Sequence, residues 1–471
     1  MLRLAGVSAK KFRGGGWSAV VSSATQRGIE MKKIFASVFA LGMVLASPAK
    51  AAVPITGDPG LYWSGLVTST IGGSPVLASR SIAMAQLAIF EAANATTGAR
   101  YDSYLNINAT SGADTRAAIA TATYQVLATV NAARAADYAA ARDASLALVT
   151  DGTAKSQGMD AGYAIAAAVL ALRANDGSTA TLPYTPQPVG TPGAWQPTPP
   201  GNLPAALPQW QNVTPWLMTN VQDFVSPPRP ALTSQTYTDD FNEVKDWGGT
   251  VSAFRTADQS NSATVWASTL GVLPWENVAI DLAQSNGLDT TDSARMLALL
   301  AMGNADTIIA LWKTKYIYDF WRPVTAIRGA DIDGNASTLS DPTWSSFLTT
   351  PNYPSYDSGV SAIAANAATI LTSYFGDTNK FCIVASAGQR CYDSFSSAEQ
   401  AAADARIYGG MHFRFETVAG LQQGTKVANF TLGNALAPVP EPSIWMTLIL
   451  GFGVIGAGLR RRTAEARLAA A

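Results

Sequence analysis

Between residues 312 and 416, three of the cationic side chains and one histidine stand in segments whose residue types could bind an anion together. Lys315 and Arg322 share one segment, and Arg406 and His412 share another. His412 is the only histidine of the chain. Cations neutralise the oxygens of a tetrahedral oxyanion, and an imidazole can act as ligand, base or nucleophile. We therefore expect these segments to form an oxyanion pocket.

Lys315 and Arg322 are seven residues apart, which in a helix is two turns and places both side chains on one face. Pro323 follows and is expected to end that helix. Cation pairs at this spacing are usually solvated surface residues. The aromatic residues around this pair favour a buried location instead; they are Trp312, Tyr316, Tyr318, Phe320 and Trp321.

Ser358 and Gly359 precede a periodic apolar run that ends at Gly376, so we expect them at the N-terminus of a helix. Free amides and the helix dipole bind anions at such a position. Glycine also lets the backbone come close to a ligand. A plain N-cap serine without a ligand is the alternative.

Arg406, Gly409 and Gly410 precede His412, and Glu416 lies one helical turn beyond it. The two glycines are expected to end one helix and turn the chain back, so that His412 faces the same pocket as Arg406. The carboxylate could then fix the imidazole tautomer through a hydrogen bond. A lone histidine is more often structural than catalytic, but these neighbours favour a functional one.

Composition and charge narrow the class of protein. The 471 residues are 48% hydrophobic and 14% charged, with 32 basic and 33 acidic residues. The balance of charge gives no sign of a nucleic-acid partner. A single histidine excludes zinc sites of the HExxH type. Cys382 and Cys391 would close a small disulfide loop in an oxidising compartment, and two unpaired thiols are the alternative.

Helical periodicity dominates the chain, and no sustained alternation marks a sheet, so the sequence predicts an all-α protein. Tryptophans in the Pro-rich stretch predict an ordered coil rather than a solvated linker. The predicted parts are an upstream stretch that precedes the real start (1–30), a signal peptide (31–51), an N-terminal helical half (52–182), a Pro/Trp-rich coil (183–235), a C-terminal helical half that holds the oxyanion site (236–436) and a sorting tail (437–471).

The sorting tail has three parts in order. Val439-Pro-Glu-Pro-Ser443 precedes an apolar run from Ile444 to Leu459, and three arginines follow. This order resembles the PEP-CTERM tail of exported bacterial proteins. The resemblance implies an exosortase-type sorting enzyme as partner and an exported protein, periplasmic or at the cell surface, that a C-terminal helix first holds in the inner membrane. An ordinary short tail anchor is the alternative.

The three anion-binding segments resemble the superfamily of vanadium-dependent haloperoxidases and type 2 phosphatidic acid phosphatases, whose pattern is K-x6-RP, P-S-G-H and [SA]-R-x5-H-x3-[DE]. The first block matches in full, and the third matches through Ala405, Arg406, His412 and Glu416. The segments 171–178 and 255–259 resemble the bacterial haloperoxidase branch as well. The resemblance implies two packed helical bundles with vanadate, or phosphate, in the second.

The same resemblance implies a role for each site residue. Lys315, Arg322 and Arg406 would neutralise the anion's equatorial oxygens, and Ser358 and the Gly359 amide would hydrogen-bond them. His412 would be the axial ligand of vanadium, or the nucleophile of a phosphatase. The substrates would be hydrogen peroxide and a halide in the first case, and a phosphate ester in the second.

One position departs from the family pattern. Val360 stands where the family has its acid/base histidine, and valine cannot transfer a proton. Asp357 could supply one, although a carboxylate beside a bound oxyanion costs electrostatic energy. The leading hypothesis is an exported vanadate-binding haloperoxidase that turns over weakly. The alternatives are an acid phosphatase and a surface protein that binds an anion without turnover.

Overall fold

The computed structural model describes residues 53–269 and 271–439. Thirteen α-helices and one two-stranded sheet form this part of the chain. The helices are α1 Pro59–Thr70, α2 Pro75–Thr96, α3 Thr115–Val130, α4 Ala135–Ala147, α5 Thr153–Arg173, α6 Gln235–Trp247, α7 Ala257–Ala267, α8 Leu273–Ser285, α9 Thr290–Tyr318, α10 Pro323–Arg328, α11 Gly359–Phe375, α12 Phe395–Tyr408 and α13 Arg414–Asn434. The strands are β1 Thr378–Ala385 and β2 Gly388–Ser394.

The long helix α9 holds the fold together. Helices α1 to α5 pack mainly on one another, helices α11 to α13 pack on one another, and α9 contacts α1 and α2 of the first group and α11 and α13 of the second. Most of its residues are buried, because alanine, leucine and isoleucine side chains lie on all of its faces. Asp289 caps it, accepting hydrogen bonds from the amides of Thr291 and Asp292.

The helix that carries Arg406 begins earlier than the sequence indicates. Ser397 and Gln400 have the spacing of a capping box, which predicts a helix start at Ser397. This prediction is wrong, because both residues lie inside α12. Ser394 is the N-cap, and its hydroxyl accepts a hydrogen bond from the Ser397 amide.

The Pro/Trp-rich stretch is an ordered coil. Two 3-10 turns, of five and four residues, interrupt it at Pro208–Asn212 and Val221–Phe224. Its tryptophans Trp195, Trp210 and Trp216 are buried. The amides of Trp216 to Met218 donate to the buried carboxylate of Asp306 on α9, which fixes the coil to the helical body.

The small sheet is the one departure from an all-helical fold among the described residues. Strands β1 and β2 form an antiparallel hairpin between α11 and α12, and Cys382 and Cys391 pair across it in a disulfide. Sequence periodicity missed it because both strands carry mixed polar residues and lie half-exposed.

Two helices of the described residues, α2 and α9, are long and apolar enough to cross a membrane. The protein itself buries 83% and 94% of their most apolar windows, so they are core helices. The predicted signal peptide at 31–51 and the predicted sorting helix lie outside the described residues.

Candidate functional site

The ends of five helices meet at the candidate site. Lys315 lies in the last turn of α9, and Arg322 caps the N-terminus of α10. Ser358 is the residue that precedes the first turn of α11, and Arg406 lies in the last turn of α12. His412 lies in the turn between α12 and α13. The sequence-predicted residues of all three segments are therefore brought together, and each of these five is buried.

Lys315 and Arg322 do not share a helical face. Helix α9 ends at Tyr318, and Asp319 adopts the left-handed conformation that terminates it. Pro323 begins α10 instead of ending a helix. The predicted geometry is wrong, and the two cations converge because the chain turns between them.

Lys315 holds the loop that leads into α11. Its ammonium donates to the carbonyls of Pro354 at 3.2 Å and Ser355 at 2.8 Å. A third hydrogen bond goes to the carbonyl of Asp357. An ammonium has three donors, so this network uses all of them and leaves the charge of Lys315 as its means of acting on an anion.

The two arginines keep free donors. Arg322 donates from Nε to the Tyr353 carbonyl at 3.0 Å and from Nη1 to the Met411 carbonyl and to His412 Nε2, both at 3.1 Å. Its Nη2 has no partner among the described residues. Arg406 contacts the Met411 sulfur through Nη2 at 3.0 Å, while its Nε and Nη1 are buried without a partner there. Unsatisfied buried donors on two cations are unusual and indicate an anion site.

Glu416 orients the imidazole. His412 Nδ1 lies 2.7 Å from Glu416 Oε2, which also accepts from the Ser355 hydroxyl at 2.8 Å and the Phe413 amide at 3.1 Å. With the proton on Nδ1, Nε2 carries the lone pair and faces Arg322. The imidazole can therefore act at Nε2 as a ligand or a nucleophile.

Burial and charge set the ionisation of the site. Burial, and then the charges of Arg322, Lys315 and Arg406, hold the pKa of His412 well below its usual value, so the imidazole is neutral. Burial raises the pKa of Glu416 to about 7. Burial lowers the pKa of Arg406 to about 10, which leaves its guanidinium charged. Burial also lowers the pKa of Lys315, and Arg322 adds to this effect.

The start of α11 offers two further donors. The Ser358 hydroxyl accepts a hydrogen bond from Ser361 at 2.8 Å and caps no helix amide, so its own proton remains available. Gly359 packs closely against α9, and a Cβ there would lie 2.9 Å from Leu311 Cδ2. Its amide, at the first position of α11, has no helix partner of its own.

Two glycines on α13 bring α11 to the histidine. A Cβ at Gly424 would overlap the Ala362 carbonyl, and one at Gly420 would overlap the Ser358 carbonyl. These residues, four apart, form a flat strip on α13 against which α11 packs closely. The Ser358 amide then donates to the Glu416 carbonyl at 3.0 Å. The repeat is visible in the sequence.

A cavity of about 510 Å³ opens beside His412 and Arg406. Val360 lies in its wall with Gly359, and most of the remaining wall is apolar, from Pro75, Leu207, Trp266, Trp312 and Ile363 among others. Tyr353, Arg406 and His412 are the titratable side chains among its described lining residues. No carboxyl group or second imidazole there takes the place of the lost histidine.

Asp357 does not line this cavity. Its carboxylate is fully buried and accepts a hydrogen bond from the Ser226 hydroxyl on the coil. The other oxygen, Oδ1, has no partner among the described residues. Its absence from the cavity wall argues against Asp357 as the replacement proton donor.

Tyr353 is the site residue that the sequence analysis missed. Its ring centroid lies 5.3 Å from Lys315 Nζ, 5.0 Å from Arg322 Cζ and 5.0 Å from the ring centroid of Trp312. The sequence does contain a signal for it. Tyr353 lies in the segment that leads to Ser358, where an aromatic ring can stack on the cations.

The two remaining family-like segments are structural. Arg173 forms a buried ion pair with Asp176 at 2.9 Å. Arg255 donates to backbone carbonyls of Trp247, Gly249 and Tyr408. Neither arginine lines the cavity beside His412.

The helices that carry this site match a known family model. Residues 295–439 match the family model described as the VCPO second helical-bundle domain. Residues 438–462 match the PEP-CTERM protein-sorting motif. The suspected family resemblance and the sorting tail are thereby confirmed.

Solved structures show the same fold over most of the chain. A bacterial vanadium-dependent iodoperoxidase superposes with a TM-score of 0.70 at 23% identity, covering 82% of this chain and 97% of its own. A holo-type bacterial vanadium-dependent chloroperoxidase superposes with a TM-score of 0.60 at 19% identity, covering 77% of this chain and 93% of its own. An apo-type bacterial vanadium-dependent chloroperoxidase superposes with a TM-score of 0.63 at 18% identity, covering 77% of this chain and 94% of its own. Among curated proteins, none matches this chain significantly.

Proposed function

We propose that the protein binds vanadate in the pocket of Arg322, Arg406 and His412 and oxidises halide with hydrogen peroxide, at a rate limited by Val360. The observation that supports it most is the set of buried, unpartnered donors on the two arginines. A tetrahedral oxyanion fits these donors, because it accepts several hydrogen bonds and neutralises the buried charge. The fold shared with vanadium-dependent iodoperoxidase and chloroperoxidase supports vanadate as that anion.

Each residue has a role that its contacts support. Arg322 Nη2 and Arg406 Nε and Nη1 would donate to the anion's oxygens, together with the Ser358 hydroxyl and the Gly359 amide. Lys315 would contribute its charge while it holds the loop before α11. His412 would ligate vanadium through Nε2, with Glu416 holding the proton on Nδ1. Vanadate, when bound, supplies the Lewis acid that activates hydrogen peroxide.

Proton transfer is the step for which the protein is poorly equipped. Oxidation of a halide by hydrogen peroxide to hypohalous acid and water consumes one proton. The loss of a positioned acid or base typically costs 10²–10⁴-fold in rate. Val360 has no proton to give, so water in the cavity would have to deliver it, and turnover should be slow.

The test is vanadate binding followed by vanadate-dependent turnover. Calorimetry should detect vanadate binding by the wild-type protein and its loss in His412→Ala. Peroxide-dependent oxidation of iodide or bromide should then require added vanadate. Vanadate binding without halide oxidation would select the second candidate, a binding protein without turnover, which the apolar environment of Val360 favours.

The acid phosphatase is the third candidate. His412 would attack phosphorus and the arginines would stabilise the transition state. Phosphate release from an activated aryl phosphate, abolished in His412→Ala, would replace our proposal by this one. Aryl esters are the informative substrates because their good leaving groups need no acid.

We also propose export and sorting. The PEP-CTERM motif supports an exosortase-type enzyme as partner and a location in the periplasm or at the cell surface, with the inner membrane as the first anchor. A tagged protein should then shift to lower mass in cells that contain the sorting enzyme and keep its full mass in cells that lack it.

A further inference from the structure

The cavity beside His412 and Arg406 is much larger than the small reactants of the proposed reaction need. Its volume is about 510 Å³, whereas the share of one water molecule in the liquid is about 30 Å³. Hydrogen peroxide and a halide ion together would fill a small part of this cavity. Cavities of roughly 300–1,000 Å³ with mostly apolar walls are typical of binding sites for organic molecules. There is therefore room for an organic group beside the reacting atoms.

The wall of this cavity is mainly apolar away from the anion site. Tyr353, Arg406 and His412 supply the titratable side chains of its described lining. Helices α9 and α11 and the coil supply much of the apolar lining, which includes Leu207, Ile308, Leu311, Trp312, Val360 and Ile363. A molecule bound in the cavity would therefore bury its own apolar surface against aliphatic and aromatic side chains.

The apolar lining is held in place and reaches the surface of the protein. Trp266 belongs to the wall, and its Nε1 donates to the Tyr392 hydroxyl at 2.9 Å while its ring packs on Trp275 at a centroid distance of 6.2 Å. Leu77 also lines the cavity and is 46% exposed. An apolar molecule therefore has a preformed site and an apolar entrance.

Val360 affects which kind of peroxide suits this wall. It lies half-buried in the first turn of α11, directly after Gly359, whose amide is a proposed donor to the anion. An imidazole at this position would hydrogen-bond a peroxide, whereas valine offers only methyl groups. Hydrogen peroxide loses hydrogen bonds to water when it enters an apolar cavity, and this loss is costly. An organic hydroperoxide carries the same O–O bond, and burial of its organic group is favourable.

We propose that the cavity binds the organic group of an apolar hydroperoxide, and that the site uses this hydroperoxide as oxidant with a higher kcat/KM than hydrogen peroxide. The inference rests on the proposed function and specifies the class of peroxide that the same site takes. In the overall reaction, the hydroperoxide ROOH, a halide ion and one proton give the alcohol ROH and hypohalous acid. The O–O bond breaks, the terminal OH group bonds to the halide, which loses two electrons, and the RO oxygen takes the proton.

Binding of the organic group can be measured without turnover. Cumyl alcohol is the alcohol that cumene hydroperoxide would leave, and calorimetry should detect its binding to the wild-type protein in the absence of vanadate. In Ile363→Trp the indole would fill part of the cavity, and the affinity for cumyl alcohol should fall by at least about tenfold. Thr372→Trp, at an exposed position of the same helix, is the matched control and should bind the alcohol as the wild type does.

Turnover then compares cumene hydroperoxide with hydrogen peroxide in halide oxidation by vanadate-loaded protein. The wild-type protein should have a kcat/KM for cumene hydroperoxide that is higher by at least about tenfold, mainly through a lower KM. The ratio of the two kcat/KM values should fall by at least about tenfold in Ile363→Trp. It should keep its wild-type value in Thr372→Trp.

Several outcomes would overturn the inference and leave the proposed function standing. One is a wild-type protein that uses hydrogen peroxide as well as or better than cumene hydroperoxide, and this result decides the matter even if Ile363→Trp does not fold. Another is a folded Ile363→Trp variant with an unchanged ratio. A third is binding of cumyl alcohol without use of cumene hydroperoxide, which would assign the cavity to a different organic molecule. If neither peroxide supports vanadate-dependent halide oxidation, the proposed function fails together with the inference.

Discussion

Restoring the missing acid/base at position 360 should raise turnover. In Val360→His the imidazole would enter the wall of a cavity of about 510 Å³ that also contains Arg406 and His412. The gain expected from a positioned acid/base is 10²–10⁴-fold. The electrostatic environment of position 360 should reduce this gain in rate, because burial and the cations already hold the pKa of the nearby His412 well below its usual value. A second imidazole there would be mostly neutral at neutral pH, so we expect about 10²-fold.

The assay is peroxide-dependent halide oxidation by vanadate-loaded protein, followed as a function of pH. The variant's advantage should grow as pH falls, with a midpoint below the usual imidazole pKa of about 6.5, because the same cations lower the pKa of an imidazole at this position. Val360→Asn and Val360→Leu are the matched controls, since they change polarity or size without adding a titratable group. Vanadate affinity should remain near that of the wild type in all three. Equal rates in the histidine and asparagine variants would refute the reasoning.

The close packing of α13 on α11 should be necessary for anion binding. Gly424→Ala should lower stability by about 1–3 kcal/mol and weaken vanadate binding, because its Cβ would overlap the Ala362 carbonyl. Gly433→Ala, in the same helix with open space around it, is the control; it should stabilise the protein by up to about 1 kcal/mol and leave vanadate binding intact. Chemical denaturation measures the stability of both variants, and calorimetry measures their vanadate binding. Because the pKa of Glu416 is raised, the folded protein holds a proton that the unfolded chain releases, and its contribution to stability should fall as pH rises from about 4.5 to about 7. Glu416→Gln should remove that fall, and a denaturation profile unchanged by the substitution would contradict it.

The segments of the site were readable from the sequence because they are local patterns. Ser358 precedes α11 as expected, Gly409 and Gly410 follow α12, and Glu416 accepts from the imidazole of His412. Each of these depends on neighbours within a few residues, which is the range over which capping, turns and helical spacing act.

The features that the sequence did not predict depend on contacts between residues that are far apart in the chain. The helical face predicted for Lys315 and Arg322 was wrong, because α9 ends at Tyr318 and the loop that starts at Pro351 must reach the ammonium. The orientation of Asp357 depends on Ser226, which is 131 residues away. Contacts of this kind leave no periodic trace in a single sequence.

The central claim is that a buried anion satisfies the free donors of Arg406 and Arg322. Thermal denaturation of the wild-type protein and Arg406→Met, each with and without vanadate, tests it most directly. Methionine removes a buried guanidinium whose Nε and Nη1 have no partner among the described residues, so the anion-free variant should be as stable as the wild type or more stable.

Vanadate at about one hundred times its dissociation constant should stabilise the wild-type protein by about 2.7 kcal/mol and the variant by almost nothing. If vanadate stabilises both proteins equally, Arg406 does not bind the anion. If vanadate stabilises neither protein, the site is not an oxyanion site.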